Sequence, residues 1–403
     1  MLICINFNAR AQFATQPETS VSFDKIVLLD TYISEGASIG DIDGDGNLDV
    51  ISGVLWWKGP EFNQSFSYAP VKIFPLTGPG LEGYSTTFFA FPSFIDDDKW
   101  MDILQIGAPS FDGYWIKNPG KNPFSDKNTH KNKEKFKAQE HICHESPQLI
   151  NIIGDEKKEL LAYSKGYITL GIVSDNTAGW ESLAITHHDP NRFGVSIHSL
   201  GAGDVNNDGL IDVLEKSGWW EHPVNWNKTA PWTFHAYPFS PKQGGAQMYC
   251  YDIDGDGDND VITSMNAHAY GLSWHEQIQE NNEISFKAHT IMTDVPEGNK
   301  YGVSFSQLHA LACVDIDNDG IKDIVTGKCY YAHNGRDIGA EDPAVLYWFK
   351  ATRNKDGSVD YIPYLIDADS GVGRQISTGD LNKDGKMDIV VGNKKGVFAF
   401  IQN

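Results

Sequence analysis

The sequence predicts an all-β chain, a seven-bladed β-propeller of four-stranded antiparallel blades with calcium-binding loops. Three observations predict it. An acidic nonapeptide recurs seven times. Each copy is flanked by the same order of strand-like segments. With 39 Gly and 18 Pro in 403 residues the chain is rich in turns, and no stretch keeps a helical period.

The nonapeptides begin at Asp41, Phe94, Asn151, Asp204, Asp252, Asp315 and Asp380, at spacings of 53, 57, 53, 48, 63 and 65 residues. Such a period accommodates four strands and their loops. In each unit a short strand precedes the acidic loop, as in Ala37-Ser38-Ile39-Gly40. A β-branched strand follows it, such as Asp260-Val261-Ile262 or Asp388-Ile389-Val390. An aromatic strand comes third, such as Trp56-Trp57, Trp219-Trp220 or Tyr347-Trp348-Phe349. A fourth closes the unit, such as Trp232 to Tyr237 or Ile284 to His289. β-Branched and aromatic residues suit a pleated, half-buried surface. The tryptophans therefore read as blade packing before they read as sugar platforms.

The chain finishes on a third strand, Val397 to Ile401, and Phe23 to Leu28 can supply its missing fourth. One propeller over residues 23–403 follows. Residues 1–12 have a short apolar stretch and then Ala9-Arg10-Ala11, the form of a truncated signal peptide. Residues 13–22 make a leader, so the expected location is exported: periplasmic, cell-surface or secreted. No apolar run approaches the ~20 residues of a membrane span. Five cysteines without a C-x-x-C pair argue against a zinc ribbon, and Cys250 and Cys313 read as buried thiols.

The net charge of −22 is concentrated. The seven nonapeptides carry 26 acids against six lysines, leaving the rest of the chain almost neutral. Acidity argues against a nucleic-acid partner. Five copies keep D-x-[DN]-x-D-G-x-x-D. Their oxygen donors are Asp41, Asp43, Asp45 and Asp49; Asp204, Asn206, Asp208 and Asp212; Asp252, Asp254, Asp256 and Asp260; Asp315, Asp317, Asp319 and Asp323; and Asp380, Asn382, Asp384 and Asp388. Hard oxygen ligands in a turn opened by glycine suit Ca²⁺, giving about five structural sites. The second and third copies have lost key ligands and are expected to be empty or weak.

Phe193-Gly194-Val195-Ser196 leading into Gly203-Asp204-Val205-Asn206-Asn207-Asp208-Gly209 resembles the FG-GAP signature, and Tyr301-Gly302-Val303-Ser304 echoes it. The chain thus resembles VCBS/FG-GAP propellers, the class that includes the integrin α-chain head. A narrower resemblance is to the propeller part of aldos-2-ulose dehydratases and similar bacterial exported proteins. It rests on Gly218-Trp219-Trp220-Glu221, Gly244 to Tyr249, Ala267 to Leu272, Ser306 to Ala310 and Asp369 to Gly373. That family removes water from keto-sugars. The resemblance implies an exported lyase or dehydratase performing β-elimination on a keto-sugar or oxidised glycoside. A non-catalytic propeller binding glycan or protein, as integrin heads do, and a uronate-type polysaccharide lyase stay open as alternatives.

In a propeller the loops from strand four to strand one, and from strand two to strand three, share the face opposite the acidic loops, and seven blades bring them to one axis. Elimination needs a base for the proton α to the carbonyl, cations for the enolate and an acid for the leaving group. His268 and His309 are the expected proton-transfer pair, with Tyr301 a further catalytic candidate and Arg192 and Lys328 the cations. Arg374, Gln375, Gln247, Glu215 and Lys216 are the expected carbohydrate-binding residues. His198 and Glu145 are candidates for an additional divalent metal at the axis. The plainer readings are a satisfied core histidine, inter-blade ion pairs for the arginines, and one local pair for Glu215 and Lys216. Gly244-Gly245 and Gly371-Val372-Gly373 are expected to let backbone approach a ligand.

Overall fold

A computed structural model describes residues 19–403 apart from 80, 97, 121–133, 144, 156, 174–179, 196 and 282. The expected signal peptide, and the leader up to residue 18, lie outside the described residues.

The chain is all-β, a repeat-based β-propeller. Its only helical turns among the described residues are Pro296–Gly298 and Ala332–Gly335. After β1 (Phe23–Leu29) the strands fall into antiparallel groups. The first holds β2 (Ser38–Gly40), β3 (Asp49–Ser52), β4 (Leu55–Trp57) and β5 (Ser65–Ser67). The next holds β6 (Phe89–Ser93), β7 (Asp102–Ile106), β8 (Phe111–Ile116) and β9 (Lys135–Ile142). It is followed by β10 (Gln148–Ile150), β11 (Glu159–Ser164), β12 (Tyr167–Val173) and β13 (Trp180–Ala184), and then by β14 (Leu200–Gly203), β15 (Asp212–Glu215), β16 (Gly218–Glu221) and β17 (Thr233–Ala236). β18 (Met248–Tyr251), β19 (Asp260–Ser264), β20 (Leu272–Glu280) and β21 (Glu283–Met292) come next. β22 (Leu311–Val314), β23 (Asp323–Gly327), β24 (Leu346–Arg353) and β25 (Val359–Asp367) follow them. The last group is β26 (Ile376–Gly379), β27 (Asp388–Asn393) and β28 (Gly396–Gln402), completed by β1, which pairs with β28 from Phe23↔Gln402 to Leu29↔Val397.

The first strand of each group lies innermost. β14 and β18 run parallel side by side, and parallel bridges join Gly36 to Gln375 and Cys329 to Val372. A channel of about 290 Å³ runs between Phe89, Leu149, Gln247, Leu311 and Ile376. The second strands are buried along their length except at Gln105 of β7, their β-branched and aliphatic residues facing both neighbouring layers.

The third-strand tryptophans pack as expected. Trp56, Trp115, Trp220 and Trp348 meet the aromatic ring directly opposite on the fourth strand: Phe66, Phe136, Phe234 and Tyr364. Their centroids lie 4.7, 4.6, 4.8 and 4.8 Å apart. Cross-strand aromatic pairs of this kind contribute roughly 0.5–1.5 kcal/mol each beyond area burial. Cys250 and Cys313 are free thiols, and burial pushes Cys313 up to about 12.

Candidate functional site

The ring has two chemically distinct faces. On one, every acidic loop joins a first strand to a second, and its ninth residue is a buried staple. Asp49 accepts the Ile42 N–H at 2.8 Å from its own loop and the Gly59 N–H at 3.0 Å from beyond the third strand. Asp102, Asp212, Asp260, Asp323 and Asp388 repeat the bond pattern with Asn118, His222, Gln277, Ala351 and Gln402 as the distant donors. Burial pushes Asp49, Asp212, Asp260 and Asp323 up to about 7, against the pull of these N–H groups. The first, third and fifth residues face outward, where Asp41, Asp43 and Asp45 bring carboxylate oxygens within 4.8 Å of one another. Asp252, Asp254 and Asp260, and Asp315, Asp317 and Asp323, do the same, so a staple can also serve as a ligand.

The loops differ in what faces them. The residue just before each distant donor is Lys58, Lys117, Glu221, Glu276, Lys350 or Ile401. Lys58 seats its ammonium between Asp43 and Asp45, at 2.6 Å from Asp45. Lys350 does so between Asp317 and Asp319, at 2.7 Å from Asp319, and Lys117 between Asp96 and Asp98. Glu221 and Glu276 instead hold fourth-strand histidines, His235 at 2.7 Å and His289 at 2.6 Å, which stack on Trp219 and Trp274.

On the opposite face, strand connections from distant parts of the chain converge. His198 Nε2 faces His268 Nε2 at 3.0 Å, and the His309 ring lies 4.8 Å from that of His268 and 5.7 Å from that of His198. Asp337 receives His268 Nδ1 at 3.1 Å and His333 Nδ1 at 3.0 Å. Beneath them Glu145 lies 3.9 Å from His309 Nε2 and takes Arg374 Nε at 2.8 Å. Arg374 also pairs with Glu35, which Tyr32 hydrogen-bonds, and its Nη1 lies 3.3 Å from Cys329 Sγ. The cluster is graded in access. Side-chain exposure is 39% at His333, 15% at His268, 12% at Asp337 and zero at His309 and Arg374.

Burial and its partners tune these groups. Burial would raise Glu145, but Arg374 beside it overrides this and holds it down at about 2. Burial depresses His198 to about 3 and holds His309 well below the usual histidine range, so both are neutral imidazoles at physiological pH. Asp337 is held well below the usual carboxylate range because His268 and His333 outweigh its burial. A neutral imidazole with a lone pair is a metal donor, and His268, His333 and Asp337 bring one donor atom each within 4.8 Å of one another.

The structure brings together His198, His268, His309, Glu145 and Arg374 from the sequence candidates. His333, Asp337 and Tyr32 were not anticipated. Other candidates are placed elsewhere. Tyr301 lies outside the cluster, its hydroxyl donating to Asp360 on β25 at 2.5 Å. Arg192 pairs with buried Glu215, with Nε at 3.1 Å, and lies 3.9 Å above the Phe234 ring, and Lys216 Nζ reaches Ser217 Oγ at 3.4 Å. Gln247 and Gln375 are girders between innermost strands. Gln247 donates to the Arg374 carbonyl at 3.0 Å and accepts from Leu311 N at 3.1 Å, while Gln375 bonds both backbone groups of Ala90. An amide at a strand start serves a neighbouring backbone as readily as a ligand. Lys328 is wholly buried, reaches Ser306 Oγ at 3.3 Å, and is lowered by burial to about 8. The expected glycine approaches serve packing. A Cβ on Gly245 would meet the Ser264 carbonyl at 1.8 Å and one on Gly373 the Glu35 carbonyl at 1.9 Å. No helix among the described residues is long and apolar enough to cross a membrane.

No curated protein matches the chain. Among solved structures, a lectin of Agrocybe aegerita described as recognising non-reducing terminal N-acetylglucosamine is similar at a TM-score of 0.44 and 14% identity. The match covers 87% of this chain and 82% of that one. The FG-GAP-like repeat matches residues 315–391, the acidic loop after β22 through β27, and with the strand order it marks the chain as a repeat-based β-propeller.

Proposed function

We propose that residues 23–403 form one seven-bladed, calcium-stabilised propeller that binds carbohydrate at the histidine end of its axis, through a divalent metal centre. The convergence of His198, His268 and His309 with His333 and Asp337 carries this reading. Several imidazoles beside a carboxylate form a donor set for a zinc-class ion, and the more exposed rim, His333 and His268, leaves an approach for ligand oxygens. Bound there, such an ion supplies Lewis acidity and a coordination position for hydroxyl or carbonyl oxygens. Buried Arg374 and Glu145 fix the floor. Seven strand groups and the β1–β28 closure support the blade count, and the oxygen clusters support Ca²⁺ on the other face. A ring of calcium loops suits an exported protein.

Calorimetric titration of the chain with Zn²⁺ in excess Ca²⁺, followed by a panel of mono- and disaccharides, tests the reading. Stoichiometric Zn²⁺ binding and zinc-dependent sugar binding are expected. Sugar binding that ignores zinc, or no sugar binding, overturns it.

A second reading, β-elimination at the same site, is favoured by the number of imidazoles. His268, His333 and Asp337 already make three donors, and His198 and His309 add two rings. One imidazole then takes the proton α to a keto group, the electron pair forms the C=C bond, and the β C–O bond breaks. The leaving oxygen takes a proton from an acid. An enone absorbance on incubation with 1,5-anhydrofructose or a 3-keto-glycoside is the expected sign. Binding without that absorbance leaves the carbohydrate-binding reading alone.

A further inference from the structure

Beside the axial cluster lies a cavity of about 320 Å³. Tyr84 is the wall between the two. It lines the cavity, its hydroxyl accepts the His333 N–H at 2.9 Å, and its ring lies 5.4 Å from the Arg374 guanidinium. A molecule in the cavity is therefore one aromatic ring away from the histidine rim. The cavity opens on the same face, because Tyr84 precedes β6 and its other aromatic residue of interest, Phe111, begins β8.

Phe111 is 55% exposed. The backbone turns it outward. Ser110 before it has φ +79°, a left-handed conformation that L-residues rarely adopt, and the β8–β9 register breaks immediately after Phe111. The positive φ and the register break thus leave an aromatic face of Phe111 open to solvent at the edge of the cavity. Glu82 brings a carboxylate to the same cavity, Asp112 brings a second that already accepts the His141 N–H at 3.0 Å and lies 3.1 Å from Lys137 Nζ, and Lys72 and Lys135 line it as well. An apolar ring face beside hydrogen-bond acceptors matches a pyranose. Its axial C–H bonds lie against the negative face of the ring, and its hydroxyls donate to the carboxylates.

We propose that this cavity is a second sugar subsite, so that the ligand is a glycoside or oligosaccharide whose one ring occupies the histidine end and whose next ring stacks on Phe111. The inference rests on the carbohydrate reading above. The volume, at the lower end for ligand pockets, fits one additional ring.

The test is calorimetric titration of the full chain, loaded with Ca²⁺ and Zn²⁺, with methyl glycosides of glucose, galactose and mannose and with the matching disaccharides. The disaccharide is expected to bind about tenfold or more tighter than its methyl monosaccharide. Phe111→Ala is expected to abolish that difference without changing monosaccharide affinity, and Phe111→Tyr to restore it. Phe111 is on the surface, so the variant keeps its melting temperature. Equal affinity for one and two rings, or a disaccharide advantage that survives Phe111→Ala, overturns the subsite while leaving the axial reading intact. No binding of any sugar overturns both.

Discussion

Asp337 grips His268 through Nδ1 at 3.1 Å, so that the opposite nitrogen of the ring points into the axis, toward His198. The carboxylate thereby sets the tautomer of the histidine that stands between solvent and the buried floor.

Asp337→Asn is expected to weaken axial Zn²⁺ or Co²⁺ binding about 10- to 100-fold. Competition against a chromophoric chelator measures it. Unchanged Co²⁺ affinity counts against the metal centre, and because His268 and His333 remain, the fold is expected to survive.

Arg374 neutralises Glu35 and Glu145 with no exposure of its own. Arg374→Met leaves two buried carboxylates without their cation, and a loss of about 3–5 kcal/mol in urea unfolding is expected. A loss under about 1 kcal/mol would show that the floor is solvated and the pair weak.

Lys328 gives a pH signature. Its folded pKa, about 8, lies below the ordinary 10.5, so between those values the unfolded chain holds the additional proton. Stability therefore climbs as pH rises through that window and is flat with respect to this group below it. Lys328→Met is expected to add on the order of 1–3 kcal/mol at pH 7 and to remove the climb. Melting curves of both proteins between pH 7 and 10 decide the matter.

Calcium removal separates the loops. Chelation is expected to lower the melting temperature, each site contributing about 2.7 kcal/mol when free Ca²⁺ is 100-fold above its Kd. Lys58 and Lys350 sit between the carboxylates that a cation would bridge, so Lys350→Met is expected to tighten Ca²⁺ binding at Asp315 to Asp323 by about tenfold or more. Terbium luminescence sensitised by nearby Trp348 reads that loop. A tightening absent from both lysine variants would mean that the ammonium groups swing clear without cost.

The sequence made the acidic loops and the strand order legible because both rest on fixed spacing. Asp260 or Asp323 can be placed by counting from the aspartate eight positions earlier. The histidine end was half legible. His198, His268 and His309 stood out as polar residues in connections that share a face. His333 and Asp337 did not, because the long β23–β24 connection has no period and nothing in its sequence announces the positive φ of Tyr331, His333 and Asn334. Lys58 and Lys117, just past their third strands, and Lys350, within β24, escaped notice because such a lysine reads as solvated until its register against the loop is known. Gln247 and Gln375 misled for the converse reason. An amide that braces a ring and one that binds a sugar look alike until the neighbouring backbone is in view.

Pairing of β1 with β28 has a consequence for biosynthesis. The strand that seals the circle leaves the ribosome before every other strand of the ring, and its partner leaves after them. The nascent chain must therefore keep Phe23–Leu29 unspent throughout translation, and a ribosome stalled before residue 396 releases an arc with two raw ends. Those ends are self-complementary in kind, so truncated products are candidates for exchanging their first strand between molecules.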